Sequence, residues 1–88
     1  MKRFLVISHH TGGDCVRALK EVLAIGYLIH FDWGCKDGVH TGWAVLEAED
    51  KTQALLSVPT FLREQAHVVQ LTKFQPDKVE AMHLPPGM

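Results

Sequence analysis

Between Tyr27 and Trp33 the apolar period is two: Tyr27, Ile29, Phe31 and Trp33 fall on one side of an extended chain, and Leu28, His30 and Asp32 on the other. GCKDG follows at residues 34–38, with a glycine at each end and an Asp-Gly pair. Then comes VHTGWAVLEA, in which Val39, Thr41, Trp43 and Val45 share one face and His40, Gly42, Ala44 and Leu46 the other. Two alternating runs joined by a glycine-bounded loop predict a β-hairpin in the middle of the chain. Any fold for this sequence has to be built around that hairpin.

The flanking segments supply a strand and a helix on each side. RFLVIS at residues 3–8 is an apolar run with β-branched members, too short for a helix and long enough for a buried strand. Thr11 and Asp14 have the spacing of a capping box. Val16, Leu19, Val22 and Leu23 then recur at helical intervals as far as Gly26. Asp50 with Gln53 opens a second helix, and Pro59 interrupts it by pushing Val58 out of helical geometry. HVVQLTKF at residues 67–74 reads as a fourth strand. Residues 1–75 thus form one domain, and residues 76–88, with Pro76, Pro85, Pro86 and Gly87, a C-terminal tail carrying a helical turn at 77–83.

The order β-α-β-β-α-β predicts an α+β fold of the ferredoxin-like kind: a four-stranded antiparallel sheet of order 4-1-3-2 with both helices on one face. Its other face is bare. A chain of 88 residues buries only about 60% of its surface on folding, yet this one carries Trp33, Trp43, Tyr27 and four phenylalanines. A second subunit covering the bare face, as in a dimeric α+β barrel, accounts for that surplus, so a homodimer is expected.

A net charge of -1 and a pI near 6.6, with no basic stripe, argue against nucleic acid as a partner. The opening MKRFLVISHH has too few apolar residues for a signal-peptide core or a membrane span. A soluble cytoplasmic protein with no membrane partner is the expectation. Cys15 and Cys35 are then read as free thiols.

The topology also gathers the chemistry. His9, His10, Asp14, Cys15, Asp32, Cys35, His40 and His67 should meet at one end of the sheet, with His30 one step inward. If the loop at 34–38 pairs Trp33 with Val39, Asp32 lies opposite His40 and diagonal to His30. Imidazoles beside a carboxylate suit zinc, nickel or iron, which makes His9, His40 and Asp32 candidate ligands for a divalent metal. The same groups suit acid–base catalysis of an isomerase or lyase type, with His40 or His30 carrying the proton and Asp32 orienting it. His9, His10, Cys15, Trp33 and Trp43 are candidates for contacting a small-molecule ligand. Cys15 sits in a first helical turn, where a thiol can be nucleophilic, and the two tryptophans are able to wall a pocket.

Plainer readings stand beside these. Histidines at strand ends are commonly half-buried and bonded to backbone or water, tryptophans pack in cores or dimer contacts, and no C-x-x-C or H-E-x-x-H spacing occurs. The repeated tripeptide HTG, at 10–12 and again at 40–42, precedes a helix once and a strand once and is read as coincidence. Three functions remain: a module binding a small molecule or divalent metal in a His/Asp-lined pocket at the sheet end, a small acid–base enzyme, and a structural or interaction protein with no ligand.

WGC at 33–35, GVHTGW at 38–43, VPTFLR at 58–63 and LTKFQP at 71–76 make the chain resemble small uncharacterised prokaryotic proteins of the ferredoxin-like, dimeric α+β-barrel type. The likeness covers residues 3–83 and is most distinctive from Trp33 to Trp43. It implies a shape and a dimer. The wider fold includes muconolactone isomerase and small monooxygenases, but no residue pattern of either activity falls on particular positions of this chain.

Overall fold

The computed structural model describes residues 1–85 and 87. Along the chain run β1 (Lys2–His9), α1 (Cys15–Ala24), β2 (Phe31–Trp33), β3 (Thr41–Ala48), α2 (Lys51–Leu55), β4 (His67–Leu71) and α3 (Pro76–Glu80). Every strand pair is antiparallel, and the sheet order is β2-β3-β1-β4, which reads 4-1-3-2 from the β4 edge. Pro86 and Met88, part of the predicted tail, lie outside the described residues.

Alternation along β1 sets the layers. Phe4, Val6 and Ser8 are buried, and with Ala18 and Val22 of α1, Ala44 and Ala48 of β3, Ala54, Val58 and Leu62 they build the core on one face. Fully burying an aliphatic or aromatic side chain of this kind contributes about 1.5–3 kcal/mol. The opposite face carries Leu5, Ile7, Trp43 and Val45, and Val45 and Val69 are still 53% and 44% exposed. On α1 the buried stripe is Ala18 and Val22, whereas Val16 and Leu23 of the predicted stripe are 64% and 61% exposed.

The second helix follows its capping signal. Gln53 N donates to Asp50 Oδ1 at 2.8 Å and Glu49 N to Gln53 Oε1 at 2.6 Å, so two donors at the helix start are satisfied reciprocally. Pro59 then ends the helical path, and a 3-10 segment, Thr60–Gln65, carries the chain on to β4. Arg63 Nε donates to the Val58 carbonyl at 2.8 Å, taking up an acceptor released by that break.

The central hairpin differs from its prediction in two ways. First, β2 is three residues long, because Gly26 at φ 87° turns the chain out of α1 and Leu28–His30 form a 3-10 turn. Tyr27 N donates to Val22 O and His30 N to Tyr27 O, bonds that take the place of a ladder. Second, the loop binds itself: Asp37 N and Val39 N both donate to Gly34 O, and Thr41 N donates to Val39 O. Val39 and His40 are thereby held outside the β2–β3 ladder, and Trp33 pairs with Gly42 in place of Val39. That shift of three residues is odd, so it moves His40 to the face opposite Asp32.

Candidate metal centre

The β1–β3 register runs Val6↔Ala44, Ser8↔Gly42, His9↔Thr41. One further bond, from His10 N to His40 O at 3.1 Å, extends it by a residue. His10 and His40 are therefore cross-strand neighbours, with ring centroids 5.7 Å apart. His10 follows Val6 and Ser8 onto the helix-covered face, and His40 follows Ala44 and Gly42 onto the same face.

Two thiols complete the group. Cys15, Ala18 and Val22 lie at i, i+3 and i+7, so Cys15 heads the inward stripe of α1. Cys35 opens the 3-10 turn Cys35–Asp37 in the β2–β3 loop, where its thiol and His10 Nε2 share a hydrogen bond of 3.2 Å. Ligand atoms of His10, Cys15, Cys35 and His40 all lie within 4.8 Å of one another. A tetrahedral zinc centre with ordinary Zn–S and Zn–N bonds has edges of roughly 3.3–3.8 Å. Side-chain rotation of about an ångström closes this set onto an ion.

Glycines make the room. A Cβ on Gly12 would lie 3.2 Å from His40 Nε2, and one on Gly42 would lie 2.9 Å from Trp33 Cζ3. Trp33 covers the group from the β2 side, its ring 6.0 Å from that of His10 and 5.4 Å from that of Phe31. Nδ1 of His10, Nδ1 of His40 and Nε1 of Trp33 are all buried without a hydrogen-bond partner among the described residues. Orphaned imidazole nitrogens beside two thiols are a costly arrangement for an inert core and a useful one for coordination.

Charge is suppressed here. Burial holds the His10 pKa below its ordinary value, with a contribution from His40 that Asp14 partly opposes. Burial also pushes the Cys35 thiol up, aided by its hydrogen bond with Cys15. In the metal-free chain both groups are therefore neutral near pH 7, and the linkage can be signed. As pH falls below 6.5, the ordinary histidine value, the unfolded chain binds a proton that folded His10 resists, and stability drops. As pH rises above 9.0 the unfolded chain releases a Cys35 proton that the folded chain retains, and stability drops again. Urea denaturation in chelator should give a midpoint that is flat between these limits and falls outside them. A midpoint that rises on acidification below 6.5 would contradict the burial of neutral His10.

The remaining predicted site residues lie elsewhere. Asp32 pairs with Trp43 on the opposite face, so of the expected metal set His9, His40 and Asp32 only His40 belongs to the cluster. His9 points to that opposite face, where Nδ1 bonds Thr41 Oγ1 at 2.9 Å and the ring stands edge-on to His67 at 6.0 Å. His30 is exposed in the turn before β2, its ring 5.7 Å from that of Tyr27. The trio of His40, His30 and Asp32 does not assemble, and no cavity opens among the described residues. The gathered end is thus two groups, one on each face of the sheet.

Of these four residues, sequence reasoning names only His40 as a metal ligand; His10 and Cys15 are named as small-molecule contacts, and Cys35 only as a member of the gathered end. The antiparallel pairing of β1 with β3 brings only the first residues of the two HTG copies together: His10 meets His40, while Thr41 and Gly42 face His9 and Ser8. No family model, curated protein or solved structure matches the chain. Among the described residues no helix is long and apolar enough to cross a membrane.

Proposed function

We propose that this chain is a metal-binding protein in which His10, Cys15, Cys35 and His40 hold one zinc ion. The observation that carries the reading is the convergence, within 4.8 Å, of two thiols and two imidazoles from the residue after β1, the start of α1, the β2–β3 loop and the residue before β3. Two soft sulfur and two imidazole donors match zinc, and two thiolates balance its charge. Four protein ligands fill a tetrahedral shell, so the ion serves to clamp the sheet end rather than to activate water. The acid–base enzyme has no comparable support, since His30, His40 and Asp32 are dispersed; of the small-molecule candidates His10, Cys15 and Trp33 lie together, but His9 and Trp43 are on the other face and no cavity opens among the described residues.

Chain purified without a histidine tag or chelator should carry about one zinc per molecule by elemental analysis. Cys15→Ser and Cys35→Ser should lose it, while His9→Ala and Asp32→Asn should keep it. Zinc retained by the double cysteine variant, or lost from His9→Ala, would overturn the assignment.

The same reading includes a homodimer of ferredoxin-like subunits in which the face bearing Leu5, Ile7, Trp43, Val45 and Val69 packs on a second copy. Sedimentation velocity should give the mass of two chains, and Val45→Glu should halve it. A wild-type monomer at micromolar concentration would remove the dimer from the account.

A further inference from the structure

We propose that Cys15 and Cys35 are also a reversible disulfide pair whose oxidation by a peroxide expels the metal; the inference rests on the zinc reading and gives that site its regulation. Both thiols are free and half-buried, and their sulfur atoms lie within 4.8 Å of each other. They belong to separate elements, the first turn of α1 and the loop between β2 and β3. A disulfide needs the sulfurs about 2.05 Å apart. Closing that gap takes rotation about the two Cα–Cβ bonds together with movement of the Cys35 turn, which ends at Gly38 in the left-handed region with φ 79°. Among the described residues nothing lies within 4 Å of a Cβ position on Gly38, so the space at that end of the turn is open.

The chemistry balances with hydrogen peroxide as oxidant. One thiolate attacks a peroxide oxygen; the O–O bond breaks, a sulfenic acid forms and hydroxide departs to become water. The second thiolate attacks the sulfenic sulfur, the S–S bond forms, and the sulfenic oxygen leaves as a second hydroxide that takes up a proton. Two electrons pass from the sulfur pair to the peroxide and two waters result. The disulfide sulfurs no longer carry negative charge, which leaves His10 and His40 as the only good donors, so the ion dissociates.

The test uses the full zinc-loaded chain, titrated with hydrogen peroxide while a chromophoric chelator reads released zinc. Zinc release should track the loss of both thiols, with an intact mass lower by about 2 Da and a cross-linked peptide containing Cys15 and Cys35. Dithiothreitol should restore both thiols and zinc uptake. Trp33, beside His10, gives an independent fluorescence signal in a Trp43→Phe background that should change and recover in step. A chain that binds zinc but yields sulfinic acids or intermolecular disulfides overturns the switch and leaves the metal reading standing. A chain that forms the Cys15–Cys35 disulfide yet never takes up zinc overturns both the metal reading and its coupling to oxidation.

Discussion

Zinc buffered at about a thousand times its dissociation constant is expected to raise the thermal midpoint of the metal-free chain by about 15–30 °C. A ligand held at about a thousand times its dissociation constant, and binding only the folded state, stabilises that state by about 4 kcal/mol. In a domain this small each kilocalorie moves the midpoint by about 4–8 °C. The effect is large because the ion ties β1 and β3 to α1 and to the β2–β3 loop at a point where the metal-free chain holds buried, unpartnered imidazole nitrogens. Cys35→Ser should melt near the metal-free midpoint whether or not zinc is added. Differential scanning calorimetry in chelator and in buffered zinc checks both statements. An equal rise in the serine variant would show that zinc acts somewhere other than this cluster.

Gly34→Ala is expected to damage the fold and the site together. Backbone strain is not the reason, since Gly34 sits at φ -94°. The reason is space: an added Cβ would lie 2.7 Å from the Val39 carbonyl oxygen, 3.0 Å from Trp43 Cζ3 and 3.1 Å from Val39 Cβ. A backbone oxygen cannot swing away as a flexible side chain can, so the loop has to open, at about 1–3 kcal/mol for an overpacked position. Cys35 and His40 lie on either side of that contact, and zinc affinity should fall at least tenfold. Gly38→Ala is the control. Its φ of 79° costs an L-residue about 1 kcal/mol, but among the described residues nothing lies within 4 Å of the new carbon. Urea titration and zinc competition on both variants distinguish the two mechanisms. Equal effects would mean that the tight packing at Gly34 does not hold the loop.

The sequence made the layers legible because they depend on periodicity alone. Phe4 and Val6 in β1 and the Asp50–Gln53 cap of α2 are local signals, and tertiary packing left them intact. The site was legible only to the level of which end of the sheet it occupies. Its face depended on whether the β2–β3 loop contains an even or an odd number of extra residues, and that was decided by hydrogen bonds that Gly34 O accepts from Asp37 and Val39. Those bonds moved Asp32 away from His40 and left Cys35 in its place. Cys15 could have been placed from its spacing to Ala18 and Val22, but Val16 and Leu23 suggested a different inward stripe and proved to be exposed. The alternating run before β2 misled for a related reason: Tyr27 and Leu28 pack against the core from a turn, so burial there does not require a strand.

X-ray absorption at the zinc edge, on chain loaded with one equivalent of zinc, reads the ligand set of the bound ion. The account requires a four-coordinate shell of two sulfurs near about 2.3 Å and two imidazole nitrogens near about 2.0–2.1 Å. In Cys15→Ser, which does not retain the ion, the sulfur-containing shell should be absent. A first shell made only of nitrogen and oxygen, unchanged by that substitution, would place the metal away from His10, Cys15, Cys35 and His40 and contradict the account.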